Sequence, residues 1–112
     1  MSDESAPAAG DIVVRDNPEA RSYDALVGDT LVAITAYEAE GTRRVLTHTA
    51  VEPEYRGRGV GGRLVRGVLD DLRARGLTAT VFCEYVAGYI ESHPEYADVV
   101  DPDQPGRVQP GA

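Results

Sequence analysis

Two periodicities divide this chain. Up to residue 51 the apolar residues come in β-branched runs or alternate with polar ones, the pattern of strands. Residues 12–15 (IVVR) are a short β-branched run, and Asn17-Pro18-Glu19 then marks a turn. Residues 23–27 (YDALV) give a second candidate, closed by Gly28-Asp29. Residues 30–38 (TLVAITAYE) carry apolar or small side chains on both faces, as a sheet centre does. Glu40-Gly41-Thr42 reads as a hairpin turn. Over residues 44–51, strict alternation puts Val45, Thr47, Thr49 and Val51 on one face, with Leu46, His48 and Ala50 on the other. The connections are short, which predicts an antiparallel meander.

Beyond residue 59 the period becomes helical. Val60, Leu64, Val65, Val68, Leu69 and Leu72 fall on one stripe, with Arg63, Arg66, Asp70 and Arg73 mostly opposite. Asp71 and Arg75 form an i,i+4 pair, and Gly76 is placed to stop the helix as its C′ residue. Residues 77–83 (LTATVFC) read as a fifth strand. Residues 85–92 suit a short second helix, which ends before His93-Pro94 because proline restricts the residue ahead of it. The predicted order is β-β-β-β-α-β-α, an α/β (α+β) fold. Its fourth and fifth strands flank a crossover helix and should run parallel. The folded unit is expected at residues 11–100. Residues 1–10 are small, polar and acidic and read as a disordered segment. Residues 101–112, with three prolines and two glycines, read as a flexible tail. No internal repeat is present.

A length of 112 residues implies one domain. The net charge of −8 argues against nucleic acid and anionic membranes as partners. All eleven basic residues are arginine, and six of them fall within residues 56–75 against Asp70 and Asp71, a local balance of +4. The other residues hold five arginines and seventeen acids, a balance of −12, so the island points to an anionic ligand of its own. The single cysteine excludes an intramolecular disulfide, and no metal-ligand cluster accompanies it. MSDESAPAAGD lacks the basic and apolar regions of a secretory signal, and no apolar run nears the ~20 residues of a membrane span. A cytoplasmic protein, monomeric or weakly self-associating, is the expectation.

Arg56-Gly57-Arg58-Gly59-Val60-Gly61-Gly62 joins a strand to a helix start. The glycines leave backbone N–H groups bare, and the helix start adds unpaired donors and partial positive charge. Such a loop suits a pyrophosphate, with Arg56, Arg58 and Arg63 adding charge. Gly57-x-Gly59-x-x-Gly62 also matches a dinucleotide-binding pattern. That motif needs its strand to run straight into the glycines. Here Glu52-Pro53-Glu54-Tyr55 intervenes, and too few βα units follow.

Arg56-x-x-Gly59-x-Gly61 instead resembles the (Q/R)-x-x-G-x-(G/A) signature of the GNAT superfamily of acyl-CoA-dependent acyltransferases. Together with His48-Thr49-Ala50-Val51, Cys83-Glu84-Tyr85 and Tyr89-Ile90-x-x-His93-Pro94-Glu95-Tyr96, it looks like the small Yjdj-type N-acetyltransferase subfamily, over roughly residues 12–97. The resemblance implies a reduced GNAT fold, acetyl-CoA as co-substrate, no metal, and an amine acceptor. It implies that the backbone at Val51 pairs with the pantetheine arm. The backbone of Arg56, Gly57, Arg58, Gly59, Val60 and Gly61 would hold the pyrophosphate. It also implies that Cys83 lies near the acyl thioester and takes part in transfer. There are departures. Ala50 stands where the subfamily often has an acid, and Val81 where it often has a proline. Glu84 and Glu91 stand where the superfamily often has asparagine and a proton-donating tyrosine, so Tyr85 or Tyr89 is only a nearby substitute.

Cys83 and Tyr85 are therefore the catalytic candidates. The competing expectations are bland: a buried apolar cysteine, tyrosines that pack, a structural His48 inside the strand, a His93 that ends a helix, and Arg66 and Arg73 on a solvated face. The function expected is N-acetyl transfer to an amine. The alternatives are a non-catalytic acyl-CoA-binding or sensing module, or an interaction domain with a vestigial loop.

Overall fold

The computed structural model describes residues 12–108. The disorder expected for residues 1–10 and the last part of the expected tail, residues 109–112, lie outside the described residues. Five strands form one sheet in the order β1-β2-β3-β4-β5: β1 Ile12–Asn17, β2 Ser22–Val27, β3 Thr30–Glu40, β4 Arg43–Val51 and β5 Thr78–Val81. The first four pair antiparallel, and β4 pairs parallel with β5, as the crossover requires. The fifth strand is shorter than the sequence suggests, ending at Val81 before Phe82 and Cys83.

Helix α1, Val60–Ala74, crosses one face of the sheet. Its predicted stripe is buried, with Leu64, Val65, Val68, Leu69 and Leu72 fully so. Gly67 lets it press against β1, where a Cβ would stand 2.8 Å from the Val14 side chain. The helix ends as Gly76 predicts. Leu77 N–H donates to Leu72 O at 2.8 Å and Gly76 N–H to Arg73 O at 3.1 Å, with Gly76 at a φ of 70°. Helix α2, Glu84–Ser92, closes on His93, whose ring stacks on Tyr89 with centroids 4.0 Å apart. A 3₁₀ turn over Pro94–Val99 follows, bound to α1 by Tyr96 Oη donating to Asp70 at 2.7 Å.

Two expectations need correcting. The alternation read for β4 breaks at Thr47. Tyr37 pairs with Leu46 and Thr35 with Thr49, so one extra β4 residue sits between these pairs. Tyr37 and Thr35 share a face of β3, so Leu46 and Thr49 share a face of β4. The bulge thus puts Thr49 on the α1 face and leaves His48 exposed, where the sequence reading makes it a structural residue within the strand. Residues 101–108 are also not a loose tail. Asp101 N–H donates to Ala79 O, Val81 N–H to Pro105 O and Arg107 N–H to Val81 O, so this stretch covers the outer edge of β5. Proline and glycine counts miss this because a hydrogen-bonded edge needs no regular strand.

At the far end of α1, two buried tyrosines tie sheet to helix. Tyr23 donates to Asp71, Tyr37 donates to Asp16 at 2.6 Å, and Arg75 contacts Asp16 at 3.0 Å and Asp71 at 2.9 Å. Burial, and then the hydrogen bond to Asp16, push the Tyr37 hydroxyl up to about 12. Burial and Asp71 raise Tyr23 likewise. The folded state thus favours the protonated phenol. That contribution is complete below the ordinary phenol value of 10.0 and is lost as pH rises through about 12. Denaturant midpoints should therefore hold steady up to pH 10 and fall beyond it, with a shallower fall in Tyr37→Phe. An identical alkaline slope in that variant would remove Tyr37 from the effect.

Candidate functional site

The site begins where β4 and β5 part. They pair only from Arg43 to Leu46, and the last bond between them runs from Phe82 N–H to Leu46 O at 2.9 Å. From the Thr47 bulge onward, the β5 side of β4 has no strand beside it among the described residues. Glu52 N–H donates to Val32 O on the β3 side, so by alternation the peptide groups of Val51 and Thr49 face the gap. The Val51 carbonyl there accepts Arg56 Nε at 3.2 Å.

A 3₁₀ turn over Pro53–Tyr55 leads from β4 into the glycines. Gly57 and Gly59 take φ values of 75° and 81°, left-handed backbone that glycine adopts without penalty. Gly59 is the N-cap of α1. No side chain caps this helix and its first turn holds no acid, so its leading N–H groups stay open. Gly61 has ordinary helical φ and serves a different need. The Tyr85 ring lies against it, and a Cβ there would stand 2.7 Å from Tyr85 Cζ and nearer still to the hydroxyl.

These parts enclose one open cleft of about 490 Å³. Of the sequence-predicted residues, Val51, Arg56, Gly57, Gly59, Val60, Gly61 and Tyr85 line it. Arg58 does not; its Nε donates back to Glu54 O at 3.0 Å. Cys83 is buried as the N-cap of α2, and its thiol donates to Thr49 Oγ1 at 3.4 Å, so Thr49 stands on the cleft wall beside it. Glu84 is exposed, 3.9 Å from Arg107, and Tyr89 packs towards Gly62.

Sequence reasoning missed Thr49, Ala50 and Tyr55 as lining residues. Tyr55 carried a signal, since Pro53 opens a turn that places the tyrosine just before the glycines. Thr49 carried none, because its side depends on the bulge. The arginine island also divides. Arg66 pairs with Asp70, Arg75 with Asp71 and Asp16, and Arg73 with Asp98; Arg66 and Arg73 lie exposed, as the sequence implies, and Arg73 also ties α1 to the chain after α2. Arg56, Arg58 and Arg63 have no carboxylate partner among the described residues, and these three flank the open helix start. The arrangement offers anion-binding donors at one end and a free strand edge leading away from them. Among the described residues no group of three or more His, Cys, Asp or Glu could hold a metal, and no helix is long and apolar enough to cross a membrane.

Comparison with known proteins gives this arrangement its context. The profile of the GCN5-related N-acetyl-transferase family matches residues 22–99. Proteins named Protein NATD1 from Gallus gallus, Mus musculus and Homo sapiens are each 36% identical over 73 residues, 62% of this chain. The match spans 66%, 66% and 65% of those relatives' own lengths. The solution structure of a GCN5-like protein from Staphylococcus aureus matches with a TM-score of 0.60 at 22% identity, covering 80% of this chain and 87% of that one. That likeness extends to the fold: a five-stranded mixed sheet with its helices. With the profile spanning most of the folded chain, this protein belongs to the GCN5-related N-acetyltransferase family.

Proposed function

We propose that this chain is an acetyl-CoA-dependent N-acetyltransferase of the Yjdj type, acting on an amine. One observation carries the reading: the uncapped start of α1, with its two left-handed glycines, opens onto the same cleft as the free edge of β4. The backbone of residues 56–61 would hold the pyrophosphate, with Arg56, Arg58 and Arg63 supplying the countercharge. The Val51 peptide would pair with the pantetheine arm once Arg56 releases its carbonyl. The acyl end would then reach the point where β4 and β5 part, beside Thr49, Cys83 and Tyr85.

The chemistry asks little of the protein. A neutral amine attacks the thioester carbonyl, the C–N bond forms and the C–S bond breaks. The amine loses a proton and the departing thiolate gains one. Tyr85, on the cleft wall, is the candidate proton donor. Cys83 is buried behind Thr49, which favours direct attack over transfer through an acyl-cysteine. Intact mass after incubation with acetyl-CoA tests the second route, since an acetyl adduct absent from Cys83→Ala would establish it. An amine acceptor fits the acidic balance of the residues outside the island, which favours a cationic acceptor.

A non-catalytic acyl-CoA-binding module is the second reading. It is favoured by Ala50 and Glu91 at positions where relatives often carry an acid and a tyrosine. Calorimetry decides whether the cleft binds: acetyl-CoA should bind, and dephospho-CoA should bind more weakly if an island arginine meets the 3′-phosphate. No heat with acetyl-CoA would overturn both readings. Binding without turnover across an amine screen would leave the second.

A further inference from the structure

Thr35, Thr49 and Cys83 form a short chain of polar side chains at the inner end of the cleft. Thr35 Oγ1 lies 2.9 Å from Thr49 Oγ1, and Cys83 Sγ donates to the same Thr49 oxygen at 3.4 Å. Thr35 is fully buried, and among the described residues its hydroxyl has no other partner. This fixes the sense of the bonds. If Thr49 donated to Thr35, the Thr35 proton would be left unpaired in a site without solvent, which is costly. If Thr35 donates to Thr49, every buried proton is used: the Thr49 oxygen accepts from Thr35 and from Cys83, filling both its lone pairs. The Thr49 proton must then point elsewhere, and the open side of Thr49 is the cleft it lines.

We infer that the Thr49 hydroxyl is a preset donor into the cleft and that it hydrogen-bonds the acyl carbonyl of the bound thioester. This rests on the proposed reading of the cleft as a thioester site. The carbonyl oxygen is a far better acceptor than the thioester sulfur, so a single directed O–H selects it. Two donors already bonded to the Thr49 oxygen polarise its O–H and strengthen the bond it gives. Held in place before the ligand arrives, such a donor favours the oxygen most as it gains charge during attack. Thr49 would thus recognise the acyl group, while the glycine loop recognises the phosphates. No titratable side chain is required for that step, which suits a chain with Ala50 where an acid is often found.

The test compares acetyl-CoA with coenzyme A itself, by calorimetry on the full chain. Thr49→Val should lower affinity for acetyl-CoA by roughly 2- to 12-fold, the worth of one hydrogen bond, and leave coenzyme A affinity unchanged. Thr49→Ser, which keeps the donor, should behave as the unmodified chain. Thr80→Val removes another buried threonine hydroxyl, one that donates to Gln104 O at 2.6 Å away from the cleft. It should change neither affinity. Equal losses for both ligands in Thr49→Val, or none, would overturn the inference while acetyl-CoA binding by the unmodified chain upheld the site. Absence of that binding would overturn both. Should Thr49→Val fail to fold, the unmodified chain still decides: the stretch of an isotope-labelled acetyl carbonyl should fall in frequency on binding, and no shift would exclude the bond.

Discussion

Gly59→Val is expected to abolish acetyl-CoA binding while the protein stays folded. Gly59 sits at a φ of 81°, where a β-branched side chain collides with its own backbone. It is also the N-cap of α1, and its carbonyl accepts the first helical bond from Arg63 N–H at 3.1 Å. Valine would pull this residue towards negative φ, turn the neighbouring N–H groups away from the cleft and place three carbons on its wall. The left-handed strain is about 1–2 kcal/mol, small beside the roughly 5–15 kcal/mol that holds a domain together. Gly59 is exposed and stands ahead of the buried stripe of α1. Melting should shift by about 4–8 °C per kcal/mol lost, with a cooperative transition retained. Titration with acetyl-CoA should then give no heat. Unchanged affinity would detach the loop from the ligand, and a lost melting transition would show that the residue serves the fold.

What could be read in advance follows from how locally each feature is determined. The α1 stripe, its stop at Gly76 and the Asp71–Arg75 pair depend on residues within a few turns of each other, and all stand as the spacing implies. The glycine loop is equally local. The other parts of the site arise from pairings across the chain. The Thr47 bulge is set by register against Tyr37 and Ala36, and nothing in residues 44–51 announces it. Without the bulge, Leu46 and Thr49 fall on opposite faces, and the contacts among Thr49, Thr35 and Cys83 are invisible. His48 drops out of the strand's interior for the same reason. Arg73 shows the limit in electrostatics: its partner Asp98 lies twenty-five residues further on, so the charge count of the island could not tell it from Arg63. The +4 of residues 56–75 is therefore concentrated. The acids absorb the arginines of the later turns, and Arg56, Arg58 and Arg63 remain by the open helix start.

Gly106→Val is expected to destabilise the fold by about 3–5 kcal/mol, the range reached when a backbone collision leaves buried groups unpaired. Gly106 holds a φ of 76° and forms a bridge with Val81. A Cβ there would stand 2.6 Å from the Val81 carbonyl carbon and 2.7 Å from its nitrogen, with the carbonyl oxygen closer still. No rotamer relieves a clash with the backbone of a fully buried strand residue, so residues 104–107 would have to lift away. Lifting them strips Val81 N–H of Pro105 O, Val81 O of Arg107 N–H and Thr80 Oγ1 of Gln104 O. It also frees the Phe82 carbonyl from Arg107 Nε, beside Cys83. Gly76→Val is the matched comparison, because Gly76 has a φ of 70° but a Cβ there would meet nothing within 4 Å. It should lose only the conformational strain of about 1–2 kcal/mol. Chemical denaturation of both variants separates strain from collision, and protease cleavage within residues 101–108 of Gly106→Val should locate the damage. Equal losses in the two variants would mean that this segment contributes nothing along β5. A larger loss at Gly106 would make residues 101–108 the outer wall of the strand that leads to Cys83, buried behind Thr49.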